Sequence, residues 1–526
     1  VEKMTAGQIR SMTTSQVSAL STLQVSALTS EQVSAMTAAQ VASLTKAGVA
    51  ALGTDAVASL TVAQAKALTT TQIAALTTAQ VQQLNTAQLG ALSAVQMGAM
   101  ETGDLRKLSA DQLQSISSAA LKSLTSAQLT SLTAEQVASL KTSQVKALSN
   151  SQLQALTTAQ VAAMSTDQVA ALTTDQVSTL TVASVGAMTS TQVAAMTTSQ
   201  VQSLTANQVK ALAANKIAAM TTTQVAAFTS DQIKSLSATQ LQALTTSEVA
   251  AMGTAQVKAL TDTQIKSLTS DAVAALTTAQ VNALSAAQLK ALSASQVTAL
   301  TSTNVAALAT SQISALSSSQ VQALTTTAVN ALSTSLVNAM TTAQVAALTT
   351  GQVQSLSTST VGGISTTNVQ ALGSAQVAAL TTAEVAKLST AQVAALTSKQ
   401  VNALTTASVA AMSTDQVKAL SSTQVQGITN AGLNALTTAQ VAVLSTAQVS
   451  SLTATQVAGL STGTLQSLST THVAALTDTQ VKALTTTEVA AMTTAQVKAL
   501  TTSQISVMST DDILALGTAQ VSALTT

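Results

Sequence analysis

The chain has 526 residues, a formal net charge of +1, and no proline, cysteine, tryptophan or tyrosine. No cysteine means no disulfide, thiol nucleophile or thiolate metal site, and a single histidine, His472, excludes a multi-histidine metal cluster. Twenty Lys+Arg against nineteen Asp+Glu supply no net field to draw nucleic acid or anionic lipid, and the apolar residues come in clusters too short to span a bilayer.

From the first residues onward one eight-residue period organises the chain. Every eighth residue from Met4 to Leu524, 66 positions in all, is Leu, Met, Ile or Phe. The residue three before it, from Val1 to Val521, is Val, Ile, Leu or Met everywhere except Ala65. The residue after the Leu position is Ser or Thr at 57 of 66 positions; the exceptions are Gly53, Asn85, Glu101, Lys141, Ala213, Gly253, Ala309, Gly373 and Gly517. Three residues further on, 45 of 65 positions are Gln. The period holds without insertion or deletion, so residues 1–526 read as a single uninterrupted array of about 66 octapeptide repeats with no separate domains.

The octad Thr341 to Leu348 shows what the pattern asks for. A single long helix fails, because eight residues at about 100° each overshoot two turns by about 80° and the apolar stripe would spiral away. A coiled coil needs a period near 3.5 or 3.67. A strand would put Val345 and Leu348 on opposite faces, whereas helical spacing puts them on one. Thr341 followed three residues later by Gln344 is a capping box, with Asn85 and the glycines acceptable as other N-caps. The charges sort as a helix dipole demands. Eighteen of 19 acids fall in cap and first-turn slots, as do Asp167 and Asp231, and 16 of 20 bases fall between the Val and Leu positions, as do Lys146 and Lys258.

The expected fold is therefore all-α: a continuous solenoid of short capped helices, one per repeat, forming an elongated rod or superhelix. Each helix is expected to run six or seven residues and to end on the Leu, with a bend at the Thr or Ser. One such helix buries too little to stand alone, so stability comes from stacking neighbours. Two or three octads are expected to close each turn. Small residues between Val and Leu let the helices approach, and Met at 13 Leu positions fills core.

Two resemblances follow from these residues. Leu156 to Ala163, Leu-Thr-x-x-Gln-Val-x-Ala, resembles the opening helix of the repeats in transcription-activator-like effectors. The likeness covers about eight residues, and the second helix, the base-reading loop and a basic bias are missing, so DNA reading does not carry over. The whole Thr/Ala/Val/Gln-rich LTTxQVxA array resembles the tandem-repeat stalk regions of very large bacterial secreted or surface proteins. That resemblance implies a structural segment that carries other domains, outside the cell or at its surface.

No catalytic, cofactor-binding or metal site is expected, and the chain does not read as an enzyme. His472 occupies a Gln position and reads as a solvated variant of it. Asp511 and Asp512 are adjacent at a helix start, where the dipole explains them. Serine and threonine hydroxyls lack a base, and the 17 glycines form no phosphate-binding pattern. The function expected is a rod, stalk or filament-forming segment. It takes no nucleic acid, small-molecule substrate or membrane span, and self-associates end to end or side by side. The array opens at Val1 and closes at Thr526 within an octad, without polar capping repeats or a signal peptide, which suggests a piece of a longer array or ends that pack on further copies. Alternatives are a Thr-row surface for ice, built from pairs such as Thr69-Thr70, Thr77-Thr78 and Thr349-Thr350, or a length-determining tape measure.

Overall fold

A computed structural model describes residues 1–524; Thr525 and Thr526, where the sequence places the open C-terminal end, lie outside the described residues. Among the described residues the chain forms 65 α-helices and no strand, one helix per octad. The helices are shorter than the spacing suggests, four to six residues each. The reason lies at the Leu position. Leu348 does not end the helix Thr342–Ala347 but caps it in an extended conformation (φ −55°, ψ 137°), and Thr349 follows, also extended (φ −72°, ψ 160°). Two consecutive extended residues make each corner, so both leave the helix.

The chain falls into two compact units, Val1–Leu268 and Thr269–Thr526. Within each, a helix packs on the third one along. In the first unit Ala38–Ser43 lies against Val62–Ala67, and Ala134–Ser139 against Thr158–Ala163. In the second, Ser398–Ala403 lies against Ser422–Gly427, and Thr406–Ala410 against Asn430–Ala435. Three octads therefore close one turn of an α-solenoid. The expectation of two or three resolves to three, because three helices of less than two turns each and three extended corners return the chain above its start.

The Val and Leu positions point into the stack, and its outer turns show what covers each. At the start of the first unit Ile9, Val17 and Val25 are buried, whereas Met4, Met12 and Leu20 are only half-buried. At the end of the second unit Ile513 and Val521 are exposed and Ile505 is half-buried, while Leu516 is buried and Met508 and Leu524 are half-buried. Each Val is thus sealed by the turn after it, and each Leu needs the turn before it as well as its other neighbours. Burial at one position accordingly depends on residues about 24 positions away in both directions, which is why no octad is stable by itself.

Close approach of successive turns is set by the two positions between Val and Leu. A Cβ added to Gly427 would lie 2.6 Å from the Ser398 carbonyl oxygen, and one added to Gly362 would lie 2.9 Å from that of Lys387. At these two glycines the backbone of a neighbouring turn leaves no room for a Cβ, whereas other octads hold Lys146 or Lys258 between Val and Leu.

Candidate functional site

The glutamine that fills 45 of 65 slots bonds both to its own cap and to an earlier turn. In the type octad the Thr341 hydroxyl accepts from Gln344 N–H (3.2 Å) and Gln344 Oε1 accepts from Thr341 N–H (2.7 Å), which is the capping box expected. The remaining atom goes elsewhere. Gln344 Nε2 donates to the carbonyls of Ile313 (2.9 Å) and Leu316 (2.6 Å), at the C-terminal end of a helix in the turn below. The Ile313 carbonyl also accepts from the Leu316 N–H (3.3 Å), whereas the Leu316 carbonyl lies beyond the helix, where no intrahelical donor reaches it. One amide thus closes its own helix start and the end of an earlier helix, and Gln344 is buried.

The arrangement repeats in both units. Gln72 Nε2 donates to the Val41 and Leu44 carbonyls at 2.9 and 2.8 Å, and Gln400 Nε2 to those of Val369 and Leu372 at 2.9 and 2.7 Å. Gln8, Gln16 and Gln24, in the first turn, have no turn below them and are exposed; Gln32 is the first to be buried. The result is a ladder of side-chain amides running along the stack. The sequence pattern accounts for the cap alone, and the role of the amide as a cross-turn donor emerges only from the fold.

His472 corrects the sequence-based expectation of a solvated side chain. It is buried, 4 % exposed. Its Nδ1 accepts from Ser469 N–H (3.3 Å), and Nε2 lies 2.7 Å from the Leu444 carbonyl, which fixes Nε2 as the protonated nitrogen. The imidazole thereby copies the glutamine amide, with one acceptor for the cap and one donor for the turn below. Other substitutes do part of the same work: Asn304 Nδ2 donates to the Leu276 carbonyl and the Lys216 ammonium to that of Gly186.

Acids also occupy the slot. Asp104 is buried and accepts from the Thr78 hydroxyl (2.7 Å). Burial raises its pKa above the ordinary carboxyl value and the Glu101 charge adds to the rise, while the Thr78 hydrogen bond opposes it. Asp511 is exposed, but Asp512 is buried and accepts from Ser509 N–H (2.9 Å) and the Ser509 hydroxyl (2.6 Å), so the adjacent pair points to two different surroundings. Among the exceptional N-caps Asn85 keeps the whole box and Gly253 and Lys141 keep half of it. Asn85 Oδ1 accepts from Gln88 N–H, and the amides of Gly253 and Lys141 still donate to Gln256 and Gln144.

In the threonine pairs, Thr69, Thr77 and Thr349 spend their hydroxyls on capping, and Thr70, Thr78 and Thr350 are exposed first-turn residues. Among the described residues no group of three or more His, Asp or Glu side chains could hold a metal ion, and no helix is long and apolar enough to cross a membrane. A small enclosed void in the second unit is lined by apolar side chains such as Val353, Leu356 and Ile364.

Short helices closed by caps, three to a turn, with an apolar interior and an amide ladder, define the class: an α-solenoid of tandem octapeptides. The chain belongs to the ALTTAQ repeat family, whose repeat matches thirteen segments: residues 97–134, 150–182, 206–238, 230–263, 238–270, 249–286, 273–310, 329–358, 350–382, 369–406, 401–430, 428–462 and 489–526. Together these span more than half of the chain. The hexapeptide of that description stands at Ala155 to Gln160, which is the corner itself: helix end, extended Leu, capping Thr, then the first turn up to the ladder Gln. A search of curated proteins returned no match.

Proposed function

We propose that this array is a structural rod, a stalk or filament segment that holds other parts of a protein or assembly apart and performs no chemistry of its own. The observation that carries the reading is the fate of the polar side chains. In octad after octad the buried polar atoms are spent on caps and on the turn below, so the repeat maintains a stack and leaves no recurring set of groups aimed at a ligand. An extracellular or cell-surface setting in a bacterium belongs to the same proposal, supported by the likeness to stalk regions of large surface proteins. Self-association belongs to it too. The ladder donors Gln8, Gln16 and Gln24 are exposed on the first turn of the first unit, and Ile513 and Val521 on the last turn of the second. Those groups suit whatever continues the stack, from this chain or another copy.

Small-angle scattering tests the rod. At three octads per turn and 8–10 Å between packed helices, 66 octads would extend roughly 180–220 Å, a radius of gyration of about 50–65 Å. A compact chain of this length would measure about 24 Å. A value near the latter would sink the proposal, and lengthening with concentration would support assembly of copies.

A further inference from the structure

The ladder glutamines reach down the stack, and at the first position after Val a second set of side chains reaches up it. Gln114 Nε2 donates to the Ser139 carbonyl (2.8 Å) and Gln466 Nε2 to that of Ala491 (2.7 Å), each 25 residues on, in the helix packed above. Asparagine, one methylene shorter, makes this bond at Asn338, Asn402 and Asn434. They donate to the carbonyls of Gly363 (3.0 Å), Gly427 (2.9 Å) and Gly459 (2.8 Å). All three acceptors are glycine, and no other octad carries glycine just before its Leu position. Asn282 and Asn330 hold the same position but face Ala307 and Ser355, and neither makes the bond among the described residues.

Distance is the physical reason. A Cβ on Gly363 would lie 2.6 Å from Thr334 Cγ2, one on Gly427 2.6 Å from the Ser398 carbonyl oxygen, and one on Gly459 would collide with Asn430 Nδ2. Glycine lets the two turns come close enough for the shorter side chain. Two of the asparagines also mend a cap. Asn338 Oδ1 accepts from Ser365 N–H and Asn434 Oδ1 from Ser461 N–H, both at 2.7 Å. In a standard octad that N–H goes to the ladder Gln, but the slots here hold Asn368 and Thr464, and neither helix has a capping box.

We propose that each Asn–Gly pair is a register key: it selects, among near-identical octads, the one whose glycine lies 25 residues on, and holds the second unit against slipping by an octad. Core and ladder do not make that choice, because every octad offers Val, Leu and the same carbonyls. A slip of one octad either way would set Asn338 against Ser355 or Ala371, Asn402 against Ala419 or Ala435, and Asn434 against Ser451 or Ser467. Each of those carries the Cβ that the close approach excludes, and the Ser365 and Ser461 amides would lose their acceptor. The key concerns which turns pair, and stands whether or not the array serves as a rod.

Hydrogen exchange of the full chain tests the key at Asn434. Asn434→Ala should speed exchange of the segment 459–465 about tenfold, by stranding the Ser461 N–H, and leave the segment 377–385 unchanged. Thr464→Gln supplies the acceptor of a standard box, and an open cleft lined by Asn434, Thr437 and Ser467 leaves room for it. N434A/T464Q should therefore return to within about threefold of the parent. N434A exchanging like the parent, a change spread evenly over both segments, or no recovery with T464Q would overturn the key. Partner choice is tested by building a key one octad on. Ala442 faces Ser467 and stands 17 residues before Gly459. Ala442→Asn alone should not slow exchange of the segment 465–473, whereas A442N/S467G should slow it about threefold relative to A442N. Equal protection in A442N and A442N/S467G would overturn the key, because the glycine 25 residues on would not then select the partner.

Discussion

At the scale of single residues, the ladder slot explains which side chains the array accepts. A capping box is satisfied by Glu as well as by Gln, and the helix dipole favours the acid. Yet the slot holds 45 Gln and only Glu248, Glu384 and Glu488 as glutamates. That bias is the signal for a required donor, and it is present in the sequence. It gains meaning only with the carbonyls of another turn in view. Asp104 makes the point measurable. Its pKa is raised in the fold, so its contribution to stability is full at low pH and is lost as pH rises through the shifted value. Asp104→Asn should therefore match the parent at about pH 3 and exceed it in melting temperature by pH 7. Asn304 and Asn368 already donate to the turn below from this slot, so the substitute has a place to bond. Equal melting temperatures at both pH values would contradict the assignment. For His472 the comparison is between two variants. Glutamine should restore the standard step and leave stability within about 0.5 kcal/mol. Alanine should cost about 1–3 kcal/mol in denaturant unfolding, by stranding the Leu444 carbonyl and the Ser469 amide.

At the scale of the helix, length and contact distance follow from the corner. Each helix holds at most six residues because the extended Leu and the extended cap are both taken from the octad, and four or five where an Ala before the Leu is the C-cap, as at Ala74 and Ala275. Such helices are below the length at which a helix persists in water, so caps and neighbours carry the load. The two positions after Val lie against backbone of neighbouring turns, and their tolerance differs from that of the caps. Gly427→Ala would push a Cβ to 2.6 Å from the Ser398 carbonyl oxygen and should destabilise by about 1–3 kcal/mol. A Cβ added to Gly53 would meet nothing within 4 Å, and this glycine stands at an N-cap without a side-chain bond. Gly53→Ser should therefore add a few tenths of a kcal/mol by supplying the cap hydroxyl. Chemical denaturation of the two variants distinguishes them, and a reversed order would mean that the caps, not the inter-turn contacts, are crowded.

At the scale of the whole molecule, equivalence of the octads makes a prediction about length. Removing residues 341–348 shifts every later helix by one position in the turn, and each ladder Gln then meets the Val and Leu carbonyls of an equivalent octad. The deletion should fold, with a helical circular dichroism signal per residue unchanged within about 10 %. Removing only residues 345–348 puts Val and Leu out of phase and joins two N-caps. It should destabilise the array by several kcal/mol through lost core burial at the junction. Similar melting curves for the two deletions would show that the eight-residue phase does not govern the stack.

The octad alone determined much of this protein. The helix per repeat, its cap, the inward Val and Leu, the sorted charges and the small residues between them all rest on spacings of three and four residues, which local sterics and hydrogen bonding decide. The tertiary structure alone decided that three octads close a turn, that Val is sealed from the turn after it, and that the amide of Gln344 belongs to Ile313 and Leu316. Those facts depend on which of many near-identical octads lies 24 residues or more away. In a uniform repeat every octad offers the same carbonyls, so sequence cannot say which are met. Only closure of the turn, through two extended residues at every corner, selects them, and it places His472 inside rather than outside.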